Sequence, residues 1–484
     1  MSQAIVIGGG VAGLVAAAYL ARAGKKVILL EAQDQPGGFA AVTSFGEGFS
    51  ASTGAQTLYA LDPQVLADLK LARHGLKFAA RDMALVGLDG NGKHIVLQRD
   101  VHATTANIAV HSVHDARAWP HFRRELFALA RALRPLWFGE SGTPEGGMQR
   151  RITRLANTGA MAWLESWFES DLLKATLCFD ALDGGLSPLE PGSALTLAWH
   201  AAQEVCGLQG AIALASGGTL VESLVTVARN FGVNIQTSAP VVALLSDSGN
   251  ATGVRLESGE THAAPQILSS LPRDEVLRTM LPPLAAGVAQ ATRHVSGARA
   301  TGSARLLLAF RDPPRFSGSA PLPVARFILA ENPAVLANAD LVARTGHLAD
   351  EMPVEVVISI PSDTSHAQRG PSIVSMLLRP IPAKPVGGWQ SFTPRLVERA
   401  VQAFERVAPG SAAKIVAAKV FTPDNVDGFS YRAPANVERL LSGYEMRMRS
   451  PLRGLWFCGA DAEPVSAVSG RAARLAAAML AVQT

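Results

Sequence analysis

Gly8, Gly10 and Gly13 stand in the spacing G-x-G-x-x-G, and Glu31 follows at the tip of the next apolar run. Glycines so spaced serve the backbone rather than any side chain. Gly8 permits a tight turn, Gly10 lets another group approach the main chain, and Gly13 lets a helix pack closely on a strand. The start of that helix offers free N–H groups and a positive dipole end, so the approaching group is an anion. A carboxylate at position 31 accepts hydrogen bonds from both hydroxyls of a ribose and repels a 2′-phosphate. The chemistry is recognition of a dinucleotide, with its pyrophosphate on the glycines and a ribose on Glu31.

Positioning these residues requires a strand, a turn, a helix and a second strand. The stretch AIVIGGGVAGLVAAAYLARAGKKVILLEAQDQPGG supplies all four. Ala4 to Ile7 predict a buried strand, and an Ala/Leu-rich helix runs to about Ala23. Gly24 ends it, and Val27 to Leu30 predict the second strand. The same stretch is apolar and N-terminal, but it lacks a basic leading region and meets Lys25 and Lys26 too early to span a bilayer. A signal peptide or anchor is therefore not expected.

The chain has 484 residues, 48% of them hydrophobic, enough for two or three domains with a large core. A formal charge of +4 is mild for this length, and no basic stretch interleaved with aromatics points to nucleic acid. Arg447, Arg449 and Arg453 form the densest basic group and are expected at a solvated surface. Mean hydropathy is +0.19. Cys178, Cys206 and Cys458 are scattered, odd in number and form no C-x-x-C. That pattern fits a reducing, cytoplasmic compartment and argues against both a disulfide reductase and a cysteine zinc site. His111 and His114 lie beside Ser112 to Asp115, which predict a helix start, so capping is expected there rather than a metal site.

No second G-x-G-x-x-G occurs, so a separate nicotinamide domain is not expected. A hairpin is predicted over 81–99 around Asp89 to Gly92, and helices dominate from Ser112 to Leu186. Trp163 and Trp167 are expected on one helix face, packed in a core. A second strand–helix signal opens at Gly217, Gly218 and Thr219. The strands of 233–271 are apolar on both sides, predicting one sheet covered on each face. Segments 303–310, 354–360 and 372–378 predict a separate β-layer, 393–407 a helix, and the C-terminus a strand, a polar loop and a helix. The expected fold is α/β: a Rossmann-like domain from 1–70, 205–272 and 440–484, interleaved with an α+β substrate domain from 71–204 and 273–439.

Beyond the glycine motif, ALDPQVLADLKLARHGLKF, HSVHDARAWPHF, WFESDLLKATLCFDAL, PGSALTLAWH, SGGTLVESL, IPSDTSHAQRGPSIVSM and the C-terminal GLWFCGA follow in order. This set resembles the phytoene-desaturase-like FAD-dependent oxidoreductases, most closely the pyridine nucleotide-disulphide oxidoreductase domain-containing protein 2 branch. The resemblance implies a GR2-type flavoprotein with extended FAD. By matched position it puts Gly8, Gly10, Val11, Ala12 and Gly13 on the pyrophosphate, and Glu31 with Ala32 at the adenosine ribose. Gly37, Gly38 and Phe39 fall on the phosphate and ribitol side, and Gly54 and Ala55 near the isoalloxazine. Val242 gives the backbone contact to adenine, Gly459 and Asp461 the closing loop, and Val468, at the final helix start, the flavin N1 end. The family's usual His-Pro-glycine loop is here Glu463-Pro464-Val465-Ser466-Ala467-Val468, which predicts a differently shaped pocket. Asp461 stands where the branch commonly has glycine, and Ser52-Thr53 where an aspartate is common.

Flavin supplies the redox chemistry, so the absence of an obvious catalytic dyad does not count against an enzyme. His200, in LAWHAAQE, is the candidate base on matched position, set against an ordinary helix histidine. The favoured function is a dehydrogenase or desaturase passing a hydride from a mostly apolar small molecule to flavin N5. An amine oxidase is the alternative; Asp461 favours it, while four tyrosines in the chain are few for an aromatic cage. A non-catalytic binding protein on the same scaffold conflicts with the complete glycine fingerprint. A nicotinamide dehydrogenase leaves Gly37-Gly38 and the C-terminal loop unexplained. Peripheral membrane contact is compatible with an apolar substrate.

Overall fold

The computed structural model describes residues 3–55, 57–80, 82–205, 213–214, 219–281, 299–318, 325–359, 371–426, 429, 435–465 and 467–482. Its first sheet is parallel and five-stranded, in the order Leu455–Phe457, Gln266–Ser269, Gln3–Ile7, Lys26–Leu30 and Asn234–Gln236. Strands from distant parts of the chain thus lie side by side, with the opening strand at the centre. Ala4, Val6, Leu29 and Leu268 face a core shared with helices Val11–Arg22, Thr219–Asn230 and Arg471–Val482. Ile5, Ile7, Leu30 and Ile267 face the other way, onto a separate cluster. Burial on both faces explains why these strands read as continuous apolar runs.

That continuity misled for the strands between 233 and 271. Val241–Asp247, Asn250–Leu256 and Thr261–Ala263 form their own antiparallel three-stranded sheet, outside the parallel one. Burial alternates along Asn250–Leu256, so one face is covered and the other open to solvent. Only Asn234–Gln236 and Gln266–Ser269 join the parallel sheet.

The second large sheet has seven strands, ordered Ile415–Phe421, Thr301–Phe310, Ser372–Pro382, Val354–Ser359, Ala325–Leu329, Ala84–Leu88 and His94–Leu97. Leu306, Leu308 and Phe310 point to the helix Gly388–Val407. Leu307 and Ala309, on the opposite face, meet Phe45, Ala51 and Phe429. Helices from 113 to 203 cover the same face further along, through Ile328, Phe122, Leu173 and Trp199. The longest, Val113–Phe138, buries Ala116, Trp119, Phe122, Leu126, Leu129, Leu133 and Trp137 at helical spacing. Ser112 caps it, accepting the Asp115 N–H at 3.0 Å.

Two local expectations need correction. The helix carrying Trp163 ends at Glu165, so Trp167 sits beyond it, yet both rings still pack on Phe122 at 5.2 and 5.7 Å. Arg447 is buried rather than solvated: its guanidinium donates to the carbonyls of Ala462 at 2.9 Å and Arg439 at 3.0 Å. The Ser442 carbonyl accepts from it as well, a set of three acceptors that a long multi-donor side chain can span. Gly217, Gly218, Ser466, Cys206 and most of the IPSDTSHAQRGP stretch lie outside the described residues.

Candidate active site

The opening strand turns at Gly8 into helix Val11–Arg22, whose N-cap is Gly10 and which has no side-chain cap. The first-turn N–H groups therefore receive no protein acceptor from a capping side chain. A Cβ at Gly13 would stand 1.8 Å from the Gly8 carbonyl oxygen, so close helix–strand packing requires that glycine. Gly10 differs. A Cβ there would meet nothing nearer than the Gly38 Cα, at 3.9 Å. The main chain is open at Gly10, a cradle that any side chain would fill. Gly37 closes its far side, its N–H donating to the Gly9 carbonyl at 2.9 Å. Val11 is buried, Ala12 half-buried, and Gly38 exposed along the same turn.

Glu31 is buried, and both carboxylate oxygens already accept backbone N–H groups, Gly9 at 2.5 Å and Gln33 at 2.8 Å. Each oxygen keeps a further acceptor site for a hydroxyl. Gly9 is a residue that motif reasoning missed, because the fingerprint leaves its position free. A Cβ there would fall 2.8 Å from the Glu31 Oε2. Ala32 is exposed just beyond the acid. The chain at 238–239 returns to this edge, with the Ser238 and Ala239 N–H groups each donating at 2.8 Å to the Gln33 and Glu31 carbonyls. Val242 follows at a register shift between Val241 and Ala243 and is 39% exposed. A bulged residue keeps its own backbone groups out of the ladder.

Phe39 lies edge-on to Phe429 at 4.9 Å and covers Gly54, where a Cβ would come within 2.1 Å of the ring. Ser52 fixes the next turn by accepting the Ala55 N–H at 3.0 Å. Across the sheet, Gly459 packs against the Ser270 carbonyl, and Asp461 accepts the Arg273 N–H at 2.6 Å. Val468 does not begin the final helix, which starts at Arg471. The reason lies in Glu463. Its buried carboxylate takes the Ala472 N–H at 2.9 Å, the Ser469 hydroxyl and, at 2.6 Å, the Tyr444 hydroxyl. The altered loop thus folds its acid back onto the helix start, and Val468 sits half-buried ahead of it.

His200 lies beyond this cradle, in helix Ser193–Gln203. Its Nε2 bonds the Asp183 Oδ2 at 2.6 Å, and that oxygen also accepts the Tyr59 hydroxyl at 2.8 Å. Arg379 holds the other Asp183 oxygen. The Tyr59 ring stacks on the imidazole at 4.8 Å, and Tyr59 belongs to the same loop as Gly54 and Ala55. Beside this group Arg326 bonds Asp180 at 2.6 Å and, through Nε, Glu355 at 2.8 Å. Burial alone would raise the Asp180 pKa, but Arg326, then His200 and Arg379, hold it well below the usual carboxylate range. Burial lowers the His200 pKa, with Asp180 only partly opposing it.

A cavity of about 130 Å³ is lined in part by His200, Asp180 and Arg326. Nine of the lining residues are apolar, Met83, Leu85, Leu97, Trp119, Phe122, Leu126, Leu177, Leu197 and Ala201, and Asp82, Gln98, Arg99, Arg123 and Glu204 complete it. Of this group the sequence pointed to His200 alone. Tyr59, Asp180, Asp183, Arg326, Glu355 and Arg379 carried no signal, because they come from five separate stretches of the chain, with only Asp180 and Asp183 sharing one. Among the described residues, His114, Asp115 and Glu169 bring potential metal-ligand atoms within 4.8 Å. The Asp115 carboxylate there already accepts the Glu169 and Ser170 N–H groups, both at 2.8 Å.

A glycine cradle on a parallel sheet, joined to a second sheet and a cavity, is the plan of a flavin-dependent oxidoreductase. The sequence pattern of the family described as flavin containing amine oxidoreductase matches residues 11–334, and the chain belongs to that family. It is 26% identical over 536 positions to pyridine nucleotide-disulfide oxidoreductase domain-containing protein 2 of Rattus norvegicus, spanning 98% of this chain and 92% of that one. It is 28% identical over 287 positions to the phytoene desaturase (neurosporene-forming) of Cereibacter sphaeroides, spanning 55% and 52%. The crystal structure of an oxidoreductase from Methanosarcina mazei shares the fold, with a TM-score of 0.66 at 16% identity over 99% of both chains. The protein is a phytoene-desaturase-like, FAD-dependent oxidoreductase acting on a small molecule. Among the described residues no helix is long and apolar enough to cross a membrane.

Proposed function

We propose that this enzyme is a dehydrogenase or desaturase whose substrate is a mostly apolar small molecule. The observation that carries the reading is the cavity: nine of its seventeen lining residues are apolar, and one of the polar ones, His200, stacks on Tyr59 from the loop of Gly54 and Ala55. An apolar body is desolvated favourably there, at roughly 25 cal/mol per Å² buried. FAD, when bound, supplies acceptance of two electrons and a hydride at N5.

Residues 1–70, 205–272 and 440–484 would hold that cofactor, and 71–204 with 273–439 would hold the substrate. The parallel sheet drawn from three separate stretches supports this division. Within the cofactor unit, Gly8, Gly10, Val11, Ala12 and Gly13 would meet the pyrophosphate, with Glu31 and Ala32 at the ribose and Val242 at the adenine. Gly37, Gly38, Phe39, Gly459 and Asp461 would line the ribitol and phosphates, and Gly54, Ala55 and Val468 the ring system. The open main chain at Gly10 and the bulge at Val242 support the first group.

The amine-oxidising alternative fits the same family and fold. Anaerobic mixing of the holoenzyme with saturated, hydroxylated and aminated forms of one apolar ring, following bleaching of the visible flavin band, separates the readings. Bleaching by the amine alone would overturn the proposal. Uptake of an apolar substrate at a bilayer surface also fits it, and flotation with neutral phospholipid vesicles tests that contact.

A further inference from the structure

Two separate features meet beside the cavity: an oriented imidazole and a set of buried carboxylates that are each paired with an arginine. His200 donates through Nε2 to Asp183, an acceptor-only group, so the neutral ring carries its lone pair on Nδ1. Nδ1 makes no hydrogen bond to a described residue, and the ring lines the cavity. Asp183 is itself locked by Arg379 and Tyr59. This is the arrangement of a base positioned by a third group.

The charges decide what the base can receive. Asp180 and Glu355 are held by Arg326, Asp183 by Arg379, and Glu204, also in the lining, by Arg123 at 2.7 Å. None of these carboxylates is spare for an ammonium group. Arg305, on the same sheet face, adds a buried cation whose hydrogen bond goes to the neutral Ser375 hydroxyl at 2.6 Å. Asp82, the remaining carboxylate of the lining, is exposed to solvent, so an ammonium buried beside His200 would lack a buried counter-charge, at a cost of several kcal/mol. A neutral hydroxyl needs none.

We propose that His200, oriented by Asp183, is the base that takes the hydroxyl proton of an alcohol whose apolar body fills this cavity. The C–H bond breaks with its electron pair, which leaves as hydride to the oxidised cofactor. The O–H pair becomes the second C=O bond, and the proton goes to the His200 Nδ1. The product is a ketone or aldehyde. The inference rests on reading the cavity as the substrate site, and it adds the substrate's reacting group. Asp183 is then a positioning residue and His200 a catalytic one.

The test uses the holoenzyme and three probes of one shape: cyclohexanol, cyclohexylamine and methylcyclohexane. Cyclohexanol is expected to bleach the flavin band, and His200→Gln to slow that bleaching about 10²-fold or more while retaining flavin. The rate rises with pH as the imidazole loses its proton, and the lowered pKa puts that limb below the ordinary histidine range. Around the ring, Tyr59, Asp180, Asp183, Arg326, Glu355 and Arg379 all face it, with Glu204 and Arg123 further out, so Asp183→Asn should displace the limb. An independent readout is the ¹⁵N spectrum of the imidazole, expected to show an Nε2–H tautomer. Unchanged alcohol oxidation in His200→Gln, or an unmoved pH limb in Asp183→Asn, overturns the proposal. Bleaching by methylcyclohexane alone overturns it but leaves the dehydrogenase reading standing. Bleaching by none of the three overturns both.

Discussion

The cradle around Gly10 and the charged cluster beside the cavity are built on opposite plans. The cradle is made almost wholly of main chain: a helix start without a side-chain cap, a glycine open on one side, and a bulged strand at Val242. Its one charged side chain, Glu31, is fixed by backbone N–H groups. The cluster beside the cavity is made of side chains, with three arginines from three strands balanced against Glu355 and the two acids of the turn Phe179–Gly185. A phosphate-bearing cofactor of constant shape suits a backbone mould, whose donors lose little entropy on binding. A variable substrate is met by side chains, which can change one at a time without moving the fold.

The contrast breaks most visibly at the glycines. Gly13→Val should destabilise the fold by about 3 kcal/mol or more, since its Cβ would collide with the Gly8 carbonyl. Gly10→Val should leave the apoprotein's urea midpoint nearly unchanged and yet abolish FAD retention. A Gly10→Val protein that purifies with full flavin content would show that the pyrophosphate lies elsewhere.

Next in size is the ion network. Arg326→Met strands Asp180 and Glu355 without their partner, and a loss of about 3–5 kcal/mol in denaturant unfolding is expected. The same network sets an acid limb. Because Asp180 is held below the usual carboxylate range in the fold, its pairing stabilises fully above that range. The contribution is lost as pH falls toward the folded pKa, so unfolding should become easier below about pH 4. In Arg326→Met that limb should be shallower, and an identical pH profile would show that Arg326 does not hold Asp180.

Smallest is the cap on the last helix. Glu463→Gln keeps an acceptor for the Ala472 N–H but removes the charge at the helix start, for about 1 kcal/mol of stability. Flavin content should be unaffected. Were flavin lost together with stability, the loop would be binding the cofactor rather than bracing the helix.

Much of the first region was legible in the residues, because its parts are contiguous. A glycine spacing, a helix and an acid at a strand tip specify one another locally, whatever surrounds them. Even there Gly9 escaped notice, since its need for a bare Cα arises only when Glu31 folds back over it. The two-sheet plan was also largely visible in runs of apolar residues. The separate three-stranded sheet was not, because an apolar strand does not reveal whether one face or two are covered.

What the sequence determined by itself was the main-chain cradle: Gly8, Gly10, Gly13 and Glu31 act through turn geometry and backbone donors that neighbouring residues supply. Only the tertiary structure decided that Tyr59, Asp183, His200 and Arg379 meet, that Arg326 is shared by two acids, and that Glu463 turns back to cap a helix. No spacing links those residues. Their distances are set by how the sheets and helices pack, and a buried charge declares its partner only once packing has brought it there.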